Sequence, residues 1–284
     1  TPVQPTSSDA GQNQVICGTS TILAANPPSS GTGLWTKVSG GGTISNPSSP
    51  NTTISGLTGG VSVFRWTIST SPCGISSSVV SVTITNPTTF ADAGLDQTNL
   101  CGVTTTTLAA NTPIAGVGAW SIVSGAGGNF TNAASPNSTF NGTIGTSYVL
   151  RWTISNPPCV ANTDDVTITF NNQPSIANAG LDQTNLCGVT TTTLAANTPI
   201  AGVGAWSIVS GAGGNFTNAA SPTSNFNGTI GTSYVLRWTI SNPPCVANTD
   251  DVTITFNNQP SIANAGLDQT NLCGVTTTTL AANT

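Results

Sequence analysis

The sequence predicts an all-β protein, built as an extended array of small antiparallel β-sandwiches, and two observations carry that prediction. The first is a repeat: the ten residues Ala93–Gly102 recur unchanged at 179–188 and at 265–274, a period of 86 residues. The second is local: apolar and polar residues alternate, turn residues recur about every ten positions, and no segment has the 3.6-residue apolar period of a helix. A long period with near-identical copies indicates domains made by duplication.

The copies predict the domain boundaries. The repeats span 1–86, 87–173 and 174–259, and residues 260–284 reproduce the beginning of a fourth. The second and third copies are nearly identical, whereas the first has diverged. Because the last segment matches only the start of the unit, we expect the parent protein to continue with further repeats.

Each element of the unit has its own pattern. In chain order, we expect a linker at 87–92, extended segments at 95–100, 104–110 and 118–123, a glycine-rich turn at 125–128, and further segments at 138–141, 147–155 and 165–170. In segment 147–155 apolar side chains occupy every second position, which predicts one buried face. These side chains are Tyr148, Leu150, Trp152 and Ile154. About seven short strands in about 86 residues is typical of a β-sandwich.

The composition excludes several function classes. Charged residues make up 5% of the chain, which contains no His, Glu or Met. Without clustered Lys and Arg, neither nucleic acid nor an anionic membrane is expected as a partner. No apolar stretch reaches the about 20 residues of a membrane span. With no ordinary base to activate a nucleophile, we expect no enzyme, no catalytic residues and no cofactor.

The tryptophans and the arginine of each repeat have structural interpretations. Trp120 and Trp152 lie in the apolar register of their strands, which favours core packing over an exposed sugar-binding platform. Their counterparts are Trp35, Trp66, Trp206 and Trp238. Arg151 faces away from the apolar stripe, and Asp165 is its expected cross-strand partner.

Carboxylates offer a candidate Ca²⁺ site. Aspartates expected at the start of the last strand and near the domain entrance could gather at a domain junction and hold Ca²⁺, while the alternative is solvated strand ends. The candidates are Asp96, Asp164, Asp165, Asp182, Asp250 and Asp251. In the first repeat we align Asn13 with Asp96, and Val80 and Ser81 with the aspartate pair, so this site would be missing there.

The order of short motifs resembles a known class of repeats. These motifs are Ala-Gly-Leu-Asp-Gln-Thr at 93–98, Gly-Ala-Trp-Ser at 118–121, Tyr-Val-Leu-Arg-Trp-Thr-Ile at 148–154 and Asp-Asp-Val-Thr-Ile-Thr at 164–169. They resemble the PKD-like and immunoglobulin-like repeats of very large cell-surface adhesins of gliding Bacteroidota, which the type IX secretion system exports. The resemblance covers every repeat, although Trp-Ser-Ile-Val-Ser-Gly at 120–125 replaces the Trp-Asp-Phe-Gly-Asp-Gly of a typical PKD domain. It implies a secreted, extracellular protein of the cell surface, with roles in cell adhesion and gliding motility.

Two cysteines per repeat predict disulfides. A metal site is the weaker interpretation, because two thiols without His fall short of four ligands. The cysteines are Cys17, Cys73, Cys101, Cys159, Cys187, Cys245 and Cys273, the last without a partner in its own partial repeat.

The sequence leaves the connectivity of these disulfides open. Pairing within a repeat would join cysteines 56 to 58 positions apart. In an immunoglobulin topology, however, Cys101 and Cys159 would lie at opposite ends of the sandwich, about 30 Å apart, whereas bonded cysteines need Cα atoms within about 7 Å. The second scheme therefore joins neighbouring repeats through Cys17–Cys159 and Cys101–Cys245.

These observations favour a structural function over a catalytic one. We expect a stalk or filament segment of a surface adhesin, in which stacked repeats extend a binding tip away from the cell. Its partners would be other repeats of the same longer chain, identical chains in a filament, and a surface glycan or solid substrate bound by a tip outside this segment. The alternatives are a self-assembling fibre or sheath joined by strand addition, and a carbohydrate-binding array of a secreted enzyme.

Overall fold

The computed structural model describes residues 3–283 and forms 21 β-strands, with no helix in that range. This confirms the predicted all-β fold. The strands form three immunoglobulin-like sandwiches, each with a four-stranded sheet facing a three-stranded one. We call them the first, second and third repeats. The chain divides into two compact units: the first ends at Phe170 and holds two repeats, and the second begins at Asn171 and holds the third.

The first repeat contains seven strands. They are β1 (Gln14–Cys17), β2 (Thr21–Ala24), β3 (Thr32–Ser39), β4 (Thr43–Ile44), β5 (Asn51–Ser55), β6 (Gly60–Thr70) and β7 (Gly74–Thr85). The larger sheet has the order β1-β7-β6-β3, and the smaller has the order β2-β5-β4. Strand β1 runs parallel to β7, with Gln14 opposite Val82 and Cys17 opposite Thr85. The first and last strands of the repeat are therefore neighbours.

The second repeat has the same plan. Its strands are β8 (Gln97–Cys101), β9 (Thr105–Thr107), β10 (Val117–Ser124), β11 (Asn129–Phe130), β12 (Thr139–Asn141), β13 (Thr146–Asn156) and β14 (Cys159–Asn171). The sheets have the orders β10-β13-β14-β8 and β11-β12-β9. The predicted strand 147–155 is confirmed as the centre of β13. The last strand begins six residues earlier than the predicted Asp165, because Cys159–Asp164 continue the pairing with β13.

The second unit repeats this plan once. Its strands are β15 (Gln183–Cys187), β16 (Thr191–Thr193), β17 (Val203–Ser210), β18 (Asn215–Phe216), β19 (Asn225–Asn227), β20 (Thr232–Asn242) and β21 (Cys245–Asn257). The sheets have the orders β15-β21-β20-β17 and β16-β19-β18, and β15 pairs in parallel with β21. Residues 258–283 contain no strand, although the backbone N–H of Asn283 donates to the carbonyl of Asn264 at 3.0 Å.

The core of each repeat lies between its two sheets and is centred on a tryptophan pair. Trp120 and Trp152 are opposite each other on β10 and β13, with ring centroids 5.1 Å apart. Both rings are buried, as are the equivalent pairs Trp35 and Trp66, and Trp206 and Trp238. The Nε1 of Trp120 donates to the carbonyl of Ser135 at 3.1 Å. The structure therefore places the tryptophans in the core, as their register predicts.

Candidate functional site

The junction between the first and second repeats is held by a disulfide and by side-chain hydrogen bonds. Its centre is a disulfide between Cys17, the last residue of β1, and Cys159, the first residue of β14. The Cα atoms are 5.0 Å apart, and the bond joins residues 142 positions apart in sequence. Of the two connectivities left open by the sequence, the structure contains the one between repeats for this pair.

The remaining cysteines fall into two groups. Cys101 and Cys245 are each disulfide-bonded. Cys73, Cys187 and Cys273 are free thiols, of which Cys187 and Cys273 are exposed. The first repeat therefore contains no bond between its own two cysteines, Cys17 and Cys73, which excludes the within-repeat scheme there.

Side chains of the second repeat hold the residues that link it to the first. Asn156, at the end of β13, donates its Nδ2 proton to the carbonyl of Asn86 at 2.8 Å, and the Sγ of Cys159 lies 3.3 Å from the same oxygen. The hydroxyl of Thr88 donates to the carbonyl of Val160 at 2.8 Å. These contacts position the linker directly beside the disulfide.

Further along the linker, two side chains of β14 accept hydrogen bonds from backbone N–H groups of the linker. The Oδ1 of Asn162 accepts from Ala91 at 2.7 Å, and the Oδ2 of Asp164 accepts from Ala93 at 2.8 Å. One contact runs in the opposite direction: the N–H of Thr167 in β14 donates a hydrogen bond to the Oδ1 of Asp96 at 2.8 Å. We call residues 86–96, held in this way against β14, the linker strap. It fixes the path of the chain into the second repeat.

The same contacts recur in the second unit. Asn242 donates to the carbonyl of Asn172 at 2.7 Å, while Asn248 and Asp250 accept from Ala177 and Ala179, each at 2.7 Å. Asp182 accepts from Thr253 at 2.8 Å. The strap is therefore a property of the repeated unit.

The first repeat has a weaker version of the strap. Ser76 Oγ accepts from Ser8 and Asn13 Oδ1 accepts from Ser81, each at 2.9 Å. The strand register places Ser78 opposite Trp66 and Val79 opposite Arg65, where the second repeat has Asp164 and Asp165. This corrects the sequence alignment that put Val80 and Ser81 at those positions. The error was one of register, because the sequence of β7 contains no aspartate to anchor the alignment.

The carboxylates predicted as Ca²⁺ ligands have other partners. Asp96 and Asp164 accept backbone N–H groups, and Asp165 pairs with Arg151; Asp182, Asp250 and Asp251 repeat these roles in the second unit. Within residues 3–283, no group of three or more Asp or Cys side chains is placed to hold a metal ion. The prediction placed Asp164 and Asp165 at the start of the last strand. The structure corrects this, because both lie inside β14.

Arg151 and Asp165 form a two-pronged ion pair across β13 and β14. The Nε and one terminal nitrogen of the guanidinium donate to the two carboxylate oxygens at 2.7 and 2.8 Å. These hydrogen bonds lower the pKa of Asp165 and raise that of Arg151. Arg237 and Asp251 repeat the arrangement. Both partners are partly exposed, so the pair aligns two strands and contributes little to stability.

Three shallow surface pockets have volumes of about 300, 350 and 370 Å³. The residues that line them carry no charged side chain and no tryptophan. No helix long and apolar enough to cross a membrane occurs within residues 3–283.

Comparison with known proteins identifies the fold. No protein-family model matches the chain, and no curated protein sequence matches it. Among solved structures, a three-domain I-band fragment of titin superimposes with a TM-score of 0.50 at 10% identity, covering 90% of this chain and 99% of that one. A glutamate-to-alanine variant of a titin three-domain immunoglobulin fragment gives a TM-score of 0.50 at 10% identity, covering 89% and 98%.

A longer array of immunoglobulin domains is also similar. Domains 1–5 of Sidekick-1 match with a TM-score of 0.42 at 13% identity, covering 91% of this chain and 60% of that one. At these identities the likeness concerns the fold and not the activity. The two titin superpositions and the paired sheets of each repeat make the chain a tandem array of immunoglobulin-like domains.

Proposed function

We propose that this chain is a structural stalk segment of a secreted cell-surface adhesin, in which consecutive repeats are fastened to each other by disulfides. The observation that carries the proposal is the Cys17–Cys159 bond, because it joins two separate hydrophobic cores instead of stabilising one. The linker strap supports it further by fixing the segment that connects those cores. Both features limit bending between repeats, which a spacer needs and a catalyst does not.

The fastening extends along the chain by repetition. We propose that Cys101 pairs with Cys245, since the two occupy the positions of Cys17 and Cys159 one repeat later and both are disulfide-bonded. Cys187 and Cys73 would then take partners from further repeats in a longer chain. In this scheme each disulfide joins one repeat to another.

The setting and partners follow from the same features. Disulfides persist in oxidising surroundings, so the proposed location is extracellular, at the cell surface. The proposed partners are neighbouring repeats of the same chain, with a tip outside this segment binding the glycan or solid surface. The absence of His and Glu from the chain supports a non-enzymatic role. The motif resemblance supports an adhesin of the Bacteroidota gliding type.

Small-angle scattering and electron microscopy of the purified chain test the stalk proposal. We expect isolated rods with a maximum dimension over about 100 Å, given about 35–40 Å for each sandwich. Disruption of the first junction by Cys17→Ser should broaden the distribution of bend angles there. A compact particle would contradict the stalk proposal. An ordered polymer with lateral contacts would contradict it too and would favour the fibre alternative.

A further inference from the structure

We propose that the Cys17–Cys159 disulfide gives tension a covalent path that bypasses nearly all of the first two repeats. Pulling on this part of the chain would then release almost no length, even when a repeat unfolds. The biological use of such a device rests on the proposed stalk function. The path itself depends only on which residues the disulfide joins.

The positions of the two cysteines in their repeats keep the covalent path short. Cys17 ends the first strand of the first repeat, and Cys159 begins the last strand of the second. Tension that enters through β1 therefore crosses the disulfide and leaves along β14. Residues 18–158, which include every strand from β2 to β13, lie in the closed covalent loop and outside the load-bearing path.

Pairing within each repeat would leave the junction between the repeats in the path of tension. A bond between Cys17 and Cys73 would leave β7, the linker strap and β8 in the path of tension. The bond between repeats places those elements inside the loop as well. One disulfide thus protects two cores and the junction between them.

The non-covalent contacts explain why a shortcut matters. Strand β1 is joined to its sheet by parallel pairing with β7 over only four residues, Gln14–Cys17. The strap hydrogen bonds are individually weak. Without the disulfide, tension would act on these few bonds. Once they break, residues 18–158 would extend by about 500 Å at 3.3–3.6 Å per residue.

Single-molecule force spectroscopy tests this inference on the whole 284-residue chain. One thiol-free handle is attached at the N-terminus and the other at Gln173, which is exposed and lies just beyond β14. Under oxidising conditions the wild-type segment between the handles should reach only about 110 Å when fully extended. The Cys17→Ser/Cys159→Ser variant should instead extend about 500 Å further.

Two controls make the result specific. Cys73→Ser removes a free thiol and should behave as the wild type. Adding dithiothreitol to a wild-type molecule under tension should produce the same added length, as two electrons and two protons from the reagent convert the disulfide to two thiols. This reagent control remains informative even if the double variant folds poorly.

The inference is overturned if the oxidised wild-type segment releases the same length as the double variant. That outcome is distinct from failure of the stalk proposal, which would be seen as compact or polymeric particles in scattering and microscopy. A compact protein could still contain the covalent shortcut, and a rod could lack it.

Discussion

At the scale of single residues, glycine determines how closely the strands pack on the tryptophan pair. A Cβ added at Gly118 would lie 2.1 Å from Cζ2 of Trp152, whose side chain is fully buried. Gly33 and Gly204 meet Trp66 and Trp238 at the same distance. All three repeats therefore need glycine where the ring of the second tryptophan packs against the neighbouring strand.

We predict that Gly118→Ala destabilises the second repeat by about 1–3 kcal/mol, the usual cost of overpacking a core. Because the second and third repeats are nearly identical, their unfolding should coincide in the wild type and separate in this variant. Urea unfolding followed by tryptophan fluorescence measures the separation. Gly59→Ala is the control, since nothing lies within 4 Å of its added Cβ. Coincident transitions in Gly118→Ala would contradict the packing argument.

The Arg151–Asp165 pair predicts a dependence of stability on pH. Its hydrogen bonds lower the folded-state pKa of Asp165, so the stabilisation is present above the unfolded pKa of about 3.9 and is lost as the pH falls through the folded value. Asp165→Asn should therefore weaken the second repeat slightly at pH 7, with the intact third repeat as internal reference. The difference should shrink as the pH falls below about 3.9 and should close once the pH is below the lowered folded-state pKa of Asp165. A difference that persists there unchanged would assign the effect to packing.

At the scale of elements, the linker strap holds the segment between two repeats against the last strand of the second repeat. Its hydrogen bonds are accepted by the side chains of Asn162 and Asp164, two alternate positions of β14 whose backbones also pair with β13. Ala93, whose N–H is held by Asp164, is buried. Loss of that acceptor would leave a buried donor without a partner.

We predict that Asp164→Ala lowers hydrogen-exchange protection in the peptide around Ala93, with a cost of about 1–3 kcal/mol. Asp164→Asn keeps an acceptor oxygen at the same position and should retain most of the protection. Exchange measured by mass spectrometry distinguishes these variants, and residues 177–182 of the third repeat provide the internal comparison. Unchanged protection in Asp164→Ala would show that the strap is held by other contacts.

Much of the fold could be predicted from alternation alone. The period-2 pattern of 147–155 identified β13 and its buried face, and the tryptophan register identified the core. The start of β14 was missed because residues 159–165 end in two polar residues and two aspartates in place of an apolar alternation. The strap was missed for another reason: it pairs residues about 70 positions apart, and local sequence gives no information about such contacts.

At the scale of the whole molecule, the cysteines determine whether consecutive repeats are joined covalently. Their spacing predicted disulfides but left two connectivities open, because the choice depends on which ends of the sandwich the strands present. The parallel pairing of β1 with β7 puts Cys17 at the end of the first repeat from which the chain continues into the linker. Cys159 begins the strand that faces this linker, so the two meet across the junction.

The central claim is that disulfides join consecutive repeats, and a tryptic peptide map under non-reducing conditions tests it most directly. The chain has only four basic residues, Lys37, Arg65, Arg151 and Arg237, and cleavage there separates the cysteines of interest. We predict a linked species that contains residues 1–37 and 152–237, joined through Cys17 and Cys159. We also predict one that contains 66–151 and 238–284, joined through Cys101 and Cys245. Residues 1–37 linked instead to 66–151, through Cys17 and Cys73, would contradict the account.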